Sequence, residues 1–358
     1  MKSRSLAVAL VAIATTTLSL IGISPAGADA TDPVTNLAVS QAQVGQNLQI
    51  TGTWTANPDA TSYRAYITDQ ADGNGAVLSF KDVSTTTATI STSSLADGGS
   101  YWLAVKAIAP STGTVTTVPF TAQALDTTGP DGTFTLNRSS GYLLVDFNST
   151  SDELETADFT ITQTALSDDT TAASAITRSV DAGDGTAAKA WTTGTTTKLT
   201  YTKPGTFTPK VRLTDEFGNL TVESLPAVTV KEDTTNPRVS INVPLNPTKV
   251  ASWRRIFGTA TDVGSGIDSA LAFVIQKRGS YWYAYDFGKQ KWIKGYTTIA
   301  KTVDRSSARP AIMTVSSRHI WGTPTIKGLT TGPLHVEAVA FDKAFNLGQA
   351  KSRNPVLH

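Results

Sequence analysis

The chain has 358 residues, which is enough for about two or three domains of ordinary size. It contains no cysteine, and this excludes disulfide bonds, thiolate metal sites and a cysteine nucleophile. The formal net charge is only +1, but residues 31–232 carry 11 basic and 21 acidic side chains, a net charge of −10, whereas residues 233–358 carry 17 and 7, a net charge of +10. An acidic front is therefore joined to a basic back.

Residues 1–30 have the three parts of an export signal. Two basic side chains, Lys2 and Arg4, precede an apolar run over residues 6–23, and small residues follow, ending with Ala28-Asp29-Ala30. This order predicts a signal peptide cleaved after Ala30, with cleavage after Ala28 as the close alternative. No later segment is long and apolar enough to span a bilayer, so the sequence predicts a secreted, extracellular protein without a transmembrane segment, either released or held at the cell surface by non-covalent contacts.

A pentapeptide that occurs twice divides the rest of the chain. Asp126-Thr-Thr-Gly-Pro130 and Asp233-Thr-Thr-Asn-Pro237 each follow one run of alternating apolar and polar residues and precede another. Proline restricts its own φ and the conformation of the preceding residue, so each copy predicts a short, stiff connector. The sequence thus predicts an all-β protein with three tandem β-sandwich domains of the immunoglobulin and fibronectin type, at residues 31–125, 126–232 and 233–358.

The first module alternates with a period of two over residues 48–54 and 101–107, which is typical of half-buried antiparallel strands. Trp54, the strand-like segment 63–67 and the spacing from Leu95 to Tyr101 resemble a fibronectin type III domain. The resemblance implies a sandwich in which Trp54 and Tyr63 belong to the core. The alternative is that these two rings form a stacking platform for sugars.

The second module carries three segments whose order resembles a PKD domain, another immunoglobulin-like sandwich; they lie at residues 180–186, 201–207 and 211–219. Asp181, Asp184 and Asp215 are the carboxylates of interest in these segments. They could hold calcium, but the alternate-position spacing of a calcium loop is missing, and aspartates in glycine-rich turns commonly accept backbone N–H bonds. The sequence therefore favours a turn-stabilising role, and no metal site or cofactor is predicted.

The third module contains a Gly-Thr-Ala-Thr-Asp turn at residues 258–262 and a late Ala-Phe-Asp-Lys-Ala-Phe-Asn turn at residues 340–346. Both resemble the repeating immunoglobulin-like domains of bacterial surface proteins. That resemblance implies a fold and not an activity.

Between the two turns lies an aromatic and basic segment that reads as a hairpin, with Gly288 at its turn. Tyrosines at alternate positions share one strand face, and flat rings beside cations suit sugars that carry negative charge. The alternative is that one face packs in the core and the other is an ordinary cross-strand ladder. The predicted ligand-binding residues of this hairpin are aromatic or basic: Tyr281, Trp282, Tyr283, Tyr285, Lys289, Lys291 and Trp292.

No catalytic residues are predicted, since the sequence shows no nucleophile elbow, zinc spacing or phosphate loop. The favoured function is a non-catalytic extracellular binding or spacer protein that contacts a polysaccharide or an anionic cell-wall polymer through the basic module. One alternative is an accessory part or remnant of a secreted polysaccharide-degrading enzyme. Another is a structural surface protein that self-associates head to tail through its opposite charges. Specific nucleic-acid binding is not predicted, because no motif for it occurs.

Overall fold

The computed structural model describes residues 31–145 and 155–358. The predicted signal peptide, residues 1–30, lies outside the described residues. Within the described residues, no helix is long and apolar enough to cross a membrane. The chain forms two compact units: the first comprises residues 31–133, 165–179 and 212–223, and the second comprises residues 134–145, 155–164, 180–211 and 224–358. The predicted domain boundaries after residues 125 and 232 remain predictions.

The fold is all-β, as the sequence predicts. The strands before the first pentapeptide are β1 (Thr35–Val44), β2 (Asn47–Thr55), β3 (Ser62–Thr68), β4 (Val77–Val83), β5 (Thr87–Thr92), β6 (Ser100–Ala109) and β7 (Thr116–Thr121). The strands between the two pentapeptides are β8 (Asp131–Leu136), β9 (Ser140–Tyr142), β10 (Leu144–Val145), β11 (Glu155–Ser167), β12 (Thr177–Asp181), β13 (Lys189–Ala190), β14 (Thr196–Tyr201), β15 (Gly205–Phe207), β16 (Lys210–Thr214), β17 (Leu220–Ser224) and β18 (Val228–Lys231).

The strands after the second pentapeptide are β19 (Arg238–Ile241), β20 (Phe257–Thr261), β21 (Ile267–Arg278), β22 (Tyr281–Asp286), β23 (Lys291–Lys294), β24 (Ala311–Met313), β25 (Ile320–Gly322), β26 (Gly332–Asp342), β27 (Leu347–Gln349) and β28 (Val356–Leu357). A 3-10 turn covers Val250–Trp253, and one short helix, α1, covers Ile299–Arg305. The side chain of Thr298 caps the start of α1 by accepting the Lys301 N–H.

The first seven strands form a sandwich of two sheets, with strand orders β1-β2-β5 and β4-β3-β6-β7. Alternate residues of both sheets point into one core, because successive side chains of a strand lie on opposite faces. Trp54 and Tyr63 are buried there with their rings edge to face, so they belong to the core and do not form a surface platform. The Tyr101 hydroxyl accepts the Ala96 N–H at 3.0 Å, which is the corner that the fibronectin-like spacing implies.

The middle strands form three sheets, with orders β10-β11-β14, β13-β12-β16-β17 and β15-β18-β9; β8 also pairs with β11. Pairing is antiparallel in the first of these sheets, and β9 lies parallel to β18. A row of rings fills the interior beside β14: Tyr201 meets Phe159 edge to face and stacks on Phe207 at 4.6 Å between ring centroids. These contacts supply the aromatic burial on which a small sandwich depends.

The last strands form a second complete sandwich. A three-stranded sheet, β19-β20-β25, faces a larger one in the order β23-β22-β21-β26-β27, to which β24 and β28 add at β21 and β26. The core between them contains Trp253 and Trp321 together with a column of alanines on β21 and β26. The long strand β21 pairs with β26 as far as Gln276 and with β22 from Ile275 to Arg278, and it therefore joins the centre of the larger sheet to the aromatic segment.

Candidate functional site

The aromatic segment is a β-hairpin, as predicted. Strand β22 pairs with β23 so that Tyr285 lies opposite Trp292 and Tyr283 lies opposite Lys294. On its other edge β22 pairs with β21, which places Arg278 opposite Tyr281. Because residues directly opposite in a ladder share a face, the three tyrosines, Trp292, Arg278 and Lys294 lie on one side of the sheet.

On this side of the sheet, the rings of Tyr281, Tyr283 and Trp292 each lie close to a cation. The Lys294 ammonium lies 3.9 Å from the centroid of the Tyr281 ring. The Arg278 guanidinium lies 4.3 Å from the Trp292 ring centroid and 5.7 Å from that of Tyr283. Contacts of this kind are attractive because a ring face carries partial negative charge. We call Tyr281, Tyr283, Trp292, Arg278 and Lys294 the cation–aromatic face.

Arg278 is the best-fixed cation of this face. Its guanidinium donates to the Gly328 carbonyl at 2.7 Å, and its Nε atom is buried with no hydrogen-bond partner. Burial lowers the pKa of Arg278 from its ordinary value, although the group stays charged at any physiological pH. The guanidinium is therefore held in position while part of its donor capacity is unused.

Two predicted ligand-binding residues serve to anchor the hairpin. Tyr285 is only 2% exposed and belongs to the core, so its ring does not offer a stacking surface, in contrast to the prediction for it. Its hydroxyl accepts the Lys327 N–H, and the Trp292 indole donates to the Lys327 carbonyl at 2.9 Å. Both side chains therefore tie the hairpin to the loop around residue 327. Tyr281 is 39% exposed, and Tyr283 is half-buried.

The other predicted residues lie elsewhere on the hairpin. Trp282 alternates with the tyrosines and is half-buried on the opposite face, where its ladder partner is Lys277. Lys291 is exposed at the start of β23. Lys289 is exposed in the turn, and its ammonium lies 3.9 Å from the buried carboxylate of Asp286. The hairpin thus separates the seven predicted residues between two faces and a turn.

A second kind of site consists of three aspartates in the first unit. One oxygen each of Asp126, Asp168 and Asp215 lie within 4.8 Å of one another. Asp126 belongs to the first pentapeptide, and its backbone carbonyl accepts a bond from the Asn219 side-chain amide at 3.1 Å. The same amide donates to the Asp215 carboxylate at 2.7 Å, and this joins the late turn to the pentapeptide. Asp126 and Asp215 are both buried.

The second unit repeats this arrangement. Oxygens of Asp233, Asp262 and Asp342 also lie within 4.8 Å of one another. The Asn346 amide donates to the Asp233 carbonyl at 2.8 Å and to the Asp342 carboxylate at 2.9 Å. Burial raises the pKa of Asp342, and the negative charges of Asp233 and Asp262 raise it further, against hydrogen bonds from Asn346 that lower it. We call the two groups the first and second aspartate clusters.

The three carboxylates of interest in the sequence, Asp181, Asp184 and Asp215, do not form a cluster with one another. Asp181 accepts the Gly183 N–H and Asp184 accepts the Thr186 N–H, both at 3.0 Å, which is the turn-stabilising role that the sequence favours. Asp215 instead joins the first aspartate cluster. Sequence analysis missed both clusters, although the repeated Asp-Thr-Thr-x-Pro and Asp-x-x-x-Asn patterns supply two of the three aspartates each time.

Comparison of the sequence with protein-family models and with curated proteins finds no match. A solved structure from a study of host cell surface retention of a 1.5-MDa bacterial ice-binding adhesin has 13% identity, covers 91% of this chain and 98% of its own, and has a TM-score of 0.33. The FN1–FN3 domains of chicken CNTN1 have 12% identity, the same two coverages and a TM-score of 0.29. The fibronectin(III)-like modules of Clostridium thermocellum CbhA have 14% identity, cover 63% of this chain and 93% of their own, and have a TM-score of 0.24. At these values the similarities assign no function.

Proposed function

We propose that the chain is a non-catalytic extracellular binding and spacer protein whose cation–aromatic face contacts an anionic polysaccharide. The observation that carries this proposal is the exposed Tyr281 ring with the Lys294 ammonium 3.9 Å from its centroid. The ring supplies a flat apolar surface for a sugar, and the ammonium supplies a partner for a carboxylate or sulfate on the same sugar. Arg278, held between Trp292 and Tyr283, adds a second cation on the same side.

The charge of the surrounding sequence supports an anionic ligand. Residues 233–358 have 17 basic and 7 acidic side chains, a net charge of +10, so the chain segment that carries the hairpin attracts polyanions in general. The rings then distinguish a sugar polymer from other polyanions, because a sugar ring can stack where a bare phosphate cannot. The export signal predicted for residues 1–30 is consistent with a ligand outside the cell.

The surroundings of the carboxylates support a non-catalytic role. A glycosidase needs two carboxylates that flank a substrate cleft. In the two aspartate clusters, four of the six side chains are buried and accept hydrogen bonds from their own turns, as Asp215 and Asp342 do. Such groups are committed to the fold and are inaccessible to a sugar chain.

The test is co-sedimentation of the full chain with an insoluble acidic polysaccharide, cross-linked polygalacturonate, and with neutral cellulose, at about 50 and 500 mM NaCl. We expect binding to polygalacturonate alone, which weakens at the higher salt because the Debye length falls below about 10 Å above 0.1 M salt. Tyr281→Ala and Lys294→Ala should each weaken binding by about 3- to 30-fold, the range for losing one ring or one close charge at a binding face.

Two control variants distinguish binding by the cation–aromatic face from a general attraction between opposite charges. Lys351→Ala removes an exposed lysine of the same basic module away from the hairpin, and Phe80→Ala removes an exposed ring that lies under Arg64 in the acidic part of the chain. Both should bind like the unaltered protein. Equal weakening by Lys351→Ala and Lys294→Ala would show that only net charge matters. Absence of binding together with salt-sensitive self-association would favour the structural alternative.

A further inference from the structure

The two aspartate clusters are built from the same sequence parts in the same order. Each takes its first aspartate from the Asp-Thr-Thr-x-Pro pentapeptide and its last from an Asp-x-x-x-Asn turn. In each, the backbone N–H of the turn asparagine donates to the aspartate four residues earlier at 2.8 Å, and that aspartate's own N–H donates back to the asparagine carbonyl at 3.2 Å. The agreement extends over two modules that differ elsewhere in sequence and strand pattern.

The third aspartate of each cluster has a buried carboxylate oxygen without a hydrogen-bond partner in the described part of the chain, and this points to a ligand. Asp168 Oδ1 accepts the Thr171 N–H, and Asp262 Oδ2 accepts the N–H groups of Gly264 and Gly266. The other oxygen of each carboxylate, Asp168 Oδ2 and Asp262 Oδ1, exposes less than 1 Å² and accepts no hydrogen bond from the described residues. A buried carboxylate oxygen without a hydrogen-bond partner costs free energy of folding. Both clusters have such an oxygen, and in each it belongs to the third aspartate.

The charges of the clusters are not balanced by the protein. Each cluster brings three carboxylates together, and none of the salt bridges among the described residues involves any of the six. In each cluster two of the carboxylates are buried and the third is partly buried, and three such charges repel one another strongly unless a cation lies between them. One carboxylate oxygen from each aspartate lies no more than 4.8 Å from those of the other two. This is about the greatest distance between two oxygens that both bind one Ca²⁺ ion at 2.3–2.6 Å.

We propose that each aspartate cluster binds one Ca²⁺ ion, and that the two sites are structural. Hard cations take oxygen ligands, and the clusters offer neither the histidine nor the cysteine that zinc prefers. Calcium is favoured over magnesium because it tolerates irregular geometry, whereas magnesium needs near-ideal octahedral coordination and these carboxylates are already oriented by their turns. Each ion would join the pentapeptide to two segments that are distant in sequence, around Asp168 and Asp215 or around Asp262 and Asp342.

The experiment measures binding and stability in the full chain. Protein stripped with EDTA and then exchanged into chelator-free buffer is titrated with CaCl₂, and separately with MgCl₂, by isothermal calorimetry. We expect two Ca²⁺ ions per chain and at least 10-fold weaker Mg²⁺ binding. Thermal unfolding should shift upward by several degrees in millimolar Ca²⁺, because a ligand of the native state stabilises it by mass action. Asp168→Asn and Asp262→Asn should each reduce the stoichiometry from two to one, and the double variant should bind none.

A comparison without calcium separates a cation site from a purely structural cluster. In EDTA, Asp168→Asn and Asp262→Asn should melt at or above the temperature of the unaltered protein, since each removes one repelling charge. In Ca²⁺ the order should reverse. Asp184→Asn, which alters a turn carboxylate outside both clusters, should leave the stoichiometry at two. Calcium binding that is absent at millimolar concentration, or unchanged in the double variant, would overturn the proposal. So would destabilisation of both variants by the same amount with and without Ca²⁺.

Discussion

Single carboxylates in this protein have roles that depend on what surrounds them and not on the motif in which they occur. Asp181 and Asp184 lie in the glycine-rich segment that draws attention in the sequence, and they stabilise turns. Asp168 lies in a segment without any motif, and it completes a cluster. The separation from the pentapeptide aspartate to this third aspartate is 42 residues in the first cluster and 29 in the second. Asp262 ends the Gly-Thr-Ala-Thr-Asp turn, whereas Asp168 has no such turn before it. Because the two third members share neither a motif nor a spacing, they cannot be recognised as equivalent before the fold is known.

Asp286 illustrates a buried carboxylate with a testable role in stability. It accepts the Lys289 N–H at 2.8 Å, and this bond, together with the positive charge of Lys289, lowers the pKa of Asp286. A lowered folded-state pKa means that the ionised form stabilises the protein above the ordinary aspartate pKa of about 4, and that this stabilisation is lost as the pH falls through the lowered value.

We therefore predict that Asp286→Asn lowers stability at pH 7 by about 1–2 kcal/mol, because the amide oxygen still accepts the Lys289 N–H but lacks the charge that strengthens this bond and attracts the Lys289 side chain. The difference between variant and unaltered protein should shrink as the pH is lowered from about 4 to 2. Urea unfolding at pH 7, 4 and 2.5 measures both effects. Asp304→Asn, at an exposed position of α1, should change stability by less than about 0.5 kcal/mol. A difference for Asp286→Asn that is constant over this pH range would contradict the assigned role.

At the scale of elements, close packing between strands decides which substitutions the second sandwich can accept. Gly258 lies in β20 directly opposite Trp321 of β25. A Cβ atom added there would lie 1.9 Å from the Ser240 carbonyl oxygen and 2.2 Å from the Trp321 ring. Neither neighbour can move without disturbing the ladder or the core, because one is backbone and the other is a buried ring.

We expect Gly258→Ala to destabilise the protein by about 1–3 kcal/mol or more, as overpacked cores do. Gly288→Ala is the matched control, since the nearest atom to its added Cβ would be 3.1 Å away in the flexible Arg309 side chain. Thermal unfolding of both variants beside the unaltered protein gives the comparison. Similar melting temperatures for the two variants would mean that β20 and β25 separate more easily than the structure indicates.

The strands of the outer modules could be predicted from the sequence more fully than those of the middle. Period-two alternation identifies residues 48–54 and 101–107, which lie in β2 and β6, and the aromatic hairpin is also found. The parallel pairing of β9 with β18 is not predicted, because strands of three and four residues carry too little pattern. Helix α1 is missed for the same reason: its seven residues make only about two turns.

The candidate site is predicted in position but not in detail. Alternation correctly places the three tyrosines on one face, because the side-chain period of a strand is two. It does not show that this face changes along its length, from the exposed Tyr281 to the buried Tyr285. Arg278 and Lys294 are close to the rings in sequence, but alternation does not show that they lie on the face of the tyrosines, since this depends on how β21 and β23 pair with β22. Burial along a strand follows from the neighbouring layer, which the local pattern does not reveal.

For the whole molecule, the distribution of cores indicates which parts of the chain can fold alone. The core of the last sandwich draws its buried residues from the range 241–357, and the core of the first draws them from 34–122. The second aspartate cluster also lies entirely after residue 232. Among the described residues before 233, a backbone bond from Val145 to Lys343 ties the earlier chain to this sandwich. A single bond of this kind contributes about 1 kcal/mol.

We predict that residues 233–358 expressed alone fold into a stable β-sandwich. The fragment should show β-type circular dichroism and one cooperative thermal transition, because its core and both of its sheets lie within it. It should also bind one Ca²⁺ ion instead of two, and Asp262→Asn should abolish that binding, since Asp233, Asp262 and Asp342 are all retained. A fragment that melts without cooperativity would show that this sandwich needs the preceding residues. A folded fragment that binds no Ca²⁺ would leave the domain boundary intact and count against the second site alone.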